Sequence, residues 1–253
     1  MTTREKYVGY IQRAYEDLTQ ETVNGGWPVM FGDDFVGASH AGTFPTWGAP
    51  TQGYPWAAKI VKTSGSPVVA PVANASNGIL QVSLASTSEA EEATLGWSDV
   101  LNIDPTKNSY VEFRASLAVA PSATSSAFLG FGSAWVTGGI TAFSRYAGFY
   151  WSNSGALLLR GNDGNSSTIS VAAAQIGGSA ISSDTASHIF AIDLSNSADV
   201  TFYYDGNRVN ALNSFAWTNT SGNNAQPIAQ VYKSAGTNVT QLNVDKFDWG
   251  SAR

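Results

Sequence analysis

Short alternating runs dominate the chain. Leu80, Val82 and Leu84 alternate with Gln81 and Ser83, and Val111, Phe113, Ala115, Leu117 and Val119 alternate with Glu112, Arg114, Ser116 and Ala118. A period of two puts the apolar set on one face of a strand and the polar set on the other. Comparable runs occupy 93–97, 127–131, 146–151, 156–160, 168–171, 188–194, 200–204, 227–232 and 242–247, separated by turns such as Asn153-Ser154-Gly155 and Asn162-Asp163-Gly164. The stretch DVTFYYDGNRV (199–209) is a hairpin signal, because Asp205-Gly206 supplies the positive φ angles of a type I′ turn. Roughly a dozen short strands joined by polar turns predict an all-β fold, a two-sheet antiparallel β-sandwich of jelly-roll type.

The first segment breaks this pattern. In TTREKYVGYIQRAYEDLTQ, Tyr7, Ile11, Ala14, Tyr15 and Leu18 recur at helical spacing, Thr2 and Glu5 fit a capping box, and Asn24-Gly25-Gly26 suits a helix end. The spacing predicts an N-terminal α-helix, with residues 1–26 forming an amphipathic arm. Its stripe either packs on its own domain or docks on a partner, and Tyr7, Ile11, Tyr15 and Leu18 are the docking candidates. Five of the nine prolines lie between Pro45 and Pro71, so 27–77 is expected to be irregular with edge strands. Residues 78–253 form the main body, with the sandwich beginning near residue 31.

Thirteen basic against nineteen acidic residues give a net charge of −6, with no basic cluster, which argues against a nucleic-acid partner. There are no cysteines, hence no disulfide framework or thiolate chemistry. No apolar run approaches the roughly 18 residues of a membrane span, and no signal-peptide pattern follows Met1. No membrane partner is expected.

Groups able to do chemistry are few. His40 and His188 lie far apart, and His188 opens an alternating strand, where a solvated or capped histidine is the plain reading. The many serines lack a G-x-S-x-G elbow and suit polar turns. Among carboxylates, Asp33-Asp34 and Glu91-Glu92 are adjacent and point to opposite faces if extended, while Glu89 and Glu91 have the parity of a catalytic pair but lie in the polar link STSEAEEAT. Asp245 and Asp248 have neither spacing. Asp163 and Asp205 sit in oxygen-rich turns well short of an EF-hand's density. No catalytic, cofactor or metal residue is expected. Trp56, Trp135 and Trp151 are the candidate surface aromatics, since adjacent rings in Phe149-Tyr150-Trp151 must face both ways on a strand. The sequons at Asn74, Asn165, Asn219 and Asn238 are ordinary for an Asn/Ser/Thr-rich chain.

With YVEFRASLAV (110–119), SHIFAIDLSNSADVTFYYDGNRV (187–209) and LNVDKFDW (242–249), the chain resembles concanavalin-like and laminin-G-like jelly rolls from about Phe31 to its end. Glycosidases of that superfamily carry an E-x-D-x-x-E or E-x-D-x-E strand; here Glu112 is followed by Arg114 and Ser116, so the resemblance implies no hydrolase. FGDDF, ATLGW and DVTFYYDGNRV are similar to head-attached virion proteins of tailed bacteriophages. That resemblance implies a non-enzymatic capsid decoration or cement protein on the virion exterior, made in the bacterial cytoplasm. Its partners would be the major capsid protein and copies of itself, a homotrimer being one arrangement. The alternative is a lectin-like glycan-binding module of a phage tail or head fibre, stacking sugars on Trp56, Trp135 or Trp151.

Overall fold

The computed structural model describes residues 3–8, 11–16, 22–23, 29–35, 44–48, 55–73, 75, 78–171, 173–210, 212–218 and 224–251, with side chains from residue 31 onward. Strands β1 (Thr3–Val8), β2 (Ile11–Glu16) and β3 (Thr22–Val23) form a small antiparallel sheet. They are followed by β4 (Val29–Asp33), β5 (Ala57–Val61), β6 (Val68–Pro71), β7 (Leu80–Ser83), β8 (Glu91–Gly96), β9 (Ser109–Val119) and β10 (Ser125–Gly132). After a 3-10 turn at Ile140–Ala142 come β11 (Tyr146–Trp151), β12 (Leu157–Asn162), β13 (Thr168–Ser170), β14 (Gln175–Ile176) and β15 (Ser179–Ala180). The chain closes with β16 (His188–Leu194), β17 (Thr201–Tyr204), β18 (Asn207–Val209), β19 (Gln226–Lys233) and β20 (Gln241–Ser251).

Two antiparallel sheets make the sandwich. The front sheet has the order β13-β12-β11-β10-β19-β8-β5, and the back sheet β18-β17-β16-β9-β20-β7-β6 with β4 added against β20. Strands β5 and β6, from the proline-rich region, each end a sheet. The Asp205-Gly206 turn joins β17 to β18 with φ of 46° and 76°, the paired positive angles of a type I′ connection.

Alternation sets the inner faces. Val111, Phe113, Ala115 and Leu117 of β9 are at most 3% exposed and face Leu129, Phe149 and Val231 of the front sheet across the core. In β20 the inward residues change from even (Leu242, Val244) to odd (Phe247, Trp249), because the register slips between Val244 and Lys246. That bulge keeps both halves of an eleven-residue strand dry on the same side. At one end of the core Trp97 meets Phe31, Trp56, Phe247 and Trp249 with ring centroids 5.3–5.9 Å apart. Burying each such side chain contributes about 1.5–3 kcal/mol.

Two expectations require correction. The N-terminal helix is absent: 3–8 and 11–16 are paired strands, with Val8 opposite Ile11 and Arg4 opposite Tyr15. The spacing of four between Tyr7 and Ile11 runs from one strand into the next, and Tyr, Val, Ile and Thr favour the strand. Tyr7 belongs to β1 and Ile11 and Tyr15 to β2 of this hairpin, and Leu18 lies outside the described residues. Trp56 and Trp151 are not at the surface, being 1% and 2% exposed. Trp56 fills the core end and donates its indole N–H to Asp33 at 2.9 Å, while Trp151 shares the inward parity of Ala147 and Phe149 and packs edge-on to Phe190.

One buried ion pair lies on the inner side of the front sheet. Lys233 Nζ is 3.1 Å from Glu91 Oε2, and both side chains are fully buried. Lys233 also donates to the carbonyls of Ala85 and Thr87, while Glu91 accepts from Ala85 N and Thr87 Oγ1, so every partner is supplied. Lys233→Met is expected to cost about 3–5 kcal/mol in urea unfolding, because it leaves a buried carboxylate uncompensated. Adding Glu91→Leu should recover most of that loss; a single variant as stable as the parent would contradict this account.

Candidate functional site

The outer face of the front sheet is only partly open to water. Even-numbered residues of β8, β19, β10 and β11 project there, and the β10–β11 connection, 133–145, folds over them. Phe128, Ile140, Phe143, Tyr146 and Ile228 form a second apolar cluster beneath it, flanked by Trp47, Trp135 and Tyr150. Paired glycines allow this: Gly130 lies opposite Gly148, and a β-carbon at Gly148 would sit 2.6 Å from the Phe128 ring.

Two polar nodes pin the strap. Glu92, 1% exposed, accepts from Trp135 Nε1 (2.6 Å), Gln230 Nε2 (2.7 Å), Thr94 Oγ1 (3.2 Å), Gly138 N (3.1 Å) and Gly139 N (3.5 Å). Asp99 accepts from Trp47 Nε1, Trp135 N and Gln226 Nε2 at 2.8–2.9 Å. Gln226 Oε1 in turn binds the amides of Trp97 and Asp99, holding Ser98 and Asp99 at φ of 54° and 64°. Lys59 Nζ stands 4.5 Å over the Trp135 ring, so this tryptophan braces the strap.

Beside the strap a groove of about 400 Å³ opens on the same face. Its floor carries Ser126, Tyr150 and Tyr232; Gly138, Gly139, Ile140 and Thr141 form one wall; Asn153, Ser234 and 123–125 form the rim. Tyr232 is the cross-strand partner of both Glu92 and Ser126, which places the groove directly next to the Glu92 node. Gly139 has φ 81° and ψ 175°, and a β-carbon there would lie 3.1 Å from the Tyr232 ring. Within the described residues, no side-chain hydrogen bond engages Ser126, Thr141, Tyr150, Asn153, Tyr232 or Ser234. No charged residue lines the groove. It offers hydroxyls, an amide and two aromatic rings, chemistry suited to holding a polyhydroxylated ligand.

No family model matches this sequence, and no curated protein matches it. Solved structures share the architecture. A β-1,3-glucanase from Mycobacterium marinum is similar over 90% of this chain and 100% of its own, at 12% identity and a TM-score of 0.54. A glycosyl hydrolase family protein from Mycobacterium fortuitum is similar over 89% and 100%, at 11% identity and 0.53. A family 16 glycosyl hydrolase from Mycobacterium smegmatis covers 87% and 98%, at 13% and 0.53. The likeness is one of fold, a jelly-roll sandwich. It overturns the reading of this chain as a non-enzymatic capsid decoration protein: these three proteins, which share its architecture over nearly the whole chain, are named as glycosyl hydrolases or a glucanase.

The carboxylates weighed in the sequence are engaged elsewhere. Glu89 and Glu91 do approach a common Thr87 hydroxyl, but Glu91 is locked to Lys233 and Glu89 binds the amides of Thr63 and Ser64. Glu112 stands opposite Asp248 on the outer face of the back sheet, where Tyr110 OH donates to Glu112 at 2.9 Å and Lys246 pairs with Asp248. Burial, reinforced by Glu112, drives the Tyr110 hydroxyl far above its ordinary value. Asp245 is held high by burial despite its 3.0 Å pair with Arg114. Asp163, fully buried, accepts from Asn165 N, Ser167 N and both donors of Thr218. Among the described residues no three acidic or imidazole groups converge to hold a metal ion; His40 lies outside them. The groove residues Ser126, Thr141, Asn153, Tyr232 and Ser234 carried no distinguishing signal in the sequence, apart from the parity that turns Tyr150 outward.

His188 has a second use for the Asp-Gly turn. Its Nδ1 meets Asp205 Oδ2 at 2.6 Å, its Nε2 meets Asp184 Oδ1 at 2.9 Å, and the Tyr204 ring stacks on it at 4.6 Å. Burial alone would lower the imidazole pKa, but the two carboxylate hydrogen bonds and charges outweigh it and raise it. Asp184 is depressed, first by its His188 bond. The folded imidazole therefore holds its proton more tightly than the unfolded one. Its stabilisation is complete below the unfolded value of about 6.5 and is lost as pH rises through the raised folded value. Asp184 acts oppositely, losing its contribution as pH falls through its own depressed value. Thermal unfolding should show a melting temperature that declines above neutrality, and His188→Gln should flatten that decline; an identical slope in the variant would place its origin in other groups. At the groove wall, Gly139→Ala is expected to cost about 1–3 kcal/mol in urea unfolding, because only glycine occupies that backbone region readily and the new methyl meets Tyr232 at 3.1 Å. Parental stability in that variant would refute the strained geometry.

Proposed function

We propose that this protein is a carbohydrate-active sandwich that engages a glycan in the groove on the outer face of its front sheet. The observation that carries the reading is the groove itself. Tyr150 and Tyr232 lie among the hydroxyls of Ser126, Thr141 and Ser234 and the Asn153 amide, which make no side-chain hydrogen bond among the described residues, while Thr124 and Ser125 at the rim are bonded within the protein. Sugar recognition needs a flat apolar face for ring C–H groups and directed polar groups for hydroxyls, and both occur here together. A volume of about 400 Å³ falls within the range of small-molecule sites. The fold is shared with proteins named as glycosyl hydrolases and a glucanase, which supports carbohydrate as the ligand class.

The stacking residues are tyrosines, not the tryptophans expected from the sequence. Trp135 acts indirectly, fastening the strap that forms the groove wall. Titration calorimetry against soluble oligosaccharides tests the reading, and analysis of the same mixtures for new reducing ends reports whether the bound glycan is cleaved. Tyr232→Ala and Tyr150→Ala should each weaken binding by about threefold to tenfold, the scale of one aromatic contact. Binding that both variants leave intact would move the site away from this groove.

A further inference from the structure

The groove also specifies which glycans fit. We infer that its occupant is an uncharged oligosaccharide longer than one sugar ring, and that acidic glycans are excluded. This rests on the carbohydrate reading of the same groove and adds two properties to it, charge and length.

The charge property follows from the lining. None of the twelve lining residues is acidic or basic. A uronate or sulfated sugar seated there would give up water around its charge without gaining an ionic partner, which is unfavourable even for partly buried groups. The nearby cations lie outside the lining. Arg160 lies 5.6 Å from the Tyr150 ring, with its Nη1 bonded to Ser170 Oγ and the Val171 carbonyl, neutral acceptors that fix its position without cancelling its charge. Lys233 neighbours Tyr232 in sequence but points inward and is sealed against Glu91. Lys59 sits over Trp135 on the far side of the strap. Beneath the wall, the Glu92 carboxylate adds negative potential next to Tyr232, and the chain as a whole carries −6. The uncharged lining, the Glu92 carboxylate and the net charge of −6 together disfavour an anionic ligand.

The length property follows from register. Tyr150 of β11 pairs with Phe128 of β10, while Tyr232 of β19 pairs with Ser126 of that same strand. The two tyrosines are therefore separated by two strand spacings across the sheet and two residues along it, about 12 Å between α-carbons. A single pyranose reaches one ring only. A chain crossing Ser126 reaches both, with Thr141 and Asn153 on its flanks.

The test measures affinities of the intact protein for neutral monosaccharides and tetrasaccharides of gluco, manno and galacto configuration, and for the matching uronate tetrasaccharides, at low salt. The expected result is a neutral tetrasaccharide bound at least about tenfold more tightly than both its monosaccharide and its uronate counterpart. Tyr150→Ala and Tyr232→Ala should each erase most of the advantage of the tetrasaccharide over the monosaccharide. Uronate chains bound as tightly as neutral ones, or monosaccharides as tightly as chains, would overturn this inference while leaving carbohydrate binding in place. Absence of binding to every sugar would overturn the carbohydrate reading and this inference together.

Discussion

A buried carboxylate is tolerable only when donors surround it, and the outer face of the front sheet is organised around that requirement at Glu92. Five donors converge on its two oxygens, two from neighbouring strands or its own strand and three from the strap. The strap could not lie so close to the sheet without the paired glycines below it. It would not stay in register without a charge to gather its amides. Gly138 and Gly139, having bonded Glu92, stand as the groove wall, with Gly139 against Tyr232. The geometry of the groove is thus a by-product of how one acid is satisfied.

The residue beside it solves the same electrostatic problem in the opposite way. Strand alternation sends Glu91 inward, where a lysine and its carbonyl partners form a closed ionic staple. It sends Glu92 outward, where neutral N–H and O–H groups suffice. Adjacent acids on one strand therefore fasten two different segments, 84–90 to the inside and 133–145 to the outside. Both carboxylates are consumed by architecture, which leaves the neighbouring groove free of formal charge.

Much of this arrangement was legible in the sequence where side-chain parity alone decides it. The alternation of 111–119, the Asp-Gly hairpin and the opposite orientations of Glu91 and Glu92 all follow from a period of two. So does the outward turn of one ring in Phe149-Tyr150-Trp151, which proves to be Tyr150. Parity was ambiguous where it coincided with another period: Ile11 and Tyr15, spaced by four, suit a helix and a strand alike, and Tyr7 belongs to the strand before them. It was silent where long-range packing decides. Nothing local shows that Trp56, in an irregular proline-rich stretch, closes the end of the core on Asp33 and Phe247. The groove was invisible for a related reason. Ser126, Thr141, Asn153 and Ser234 have the composition of ordinary turns and acquire meaning only when three strands and a strap bring them together. The missing acid triplet suggested an inert slab, but a sheet can present a polar, aromatic surface without any catalytic signature in its strands.

The same anchoring bears on how the groove would admit the proposed glycan. Displacing the strap would strip the donors from Glu92 and expose Ile140 and Phe143, which are 2% exposed at present. A ligand that had to open the strap would lose much of its binding free energy to that rearrangement. The groove lies beside the strap and not under it, with Tyr232 already held against Gly139 on one side. Its walls need not move to admit a chain, so little ordering cost is charged against stacking and hydrogen bonds. Weak individual contacts to uncharged hydroxyls can then accumulate along the groove, and that is the condition under which a surface without charges can discriminate among glycans.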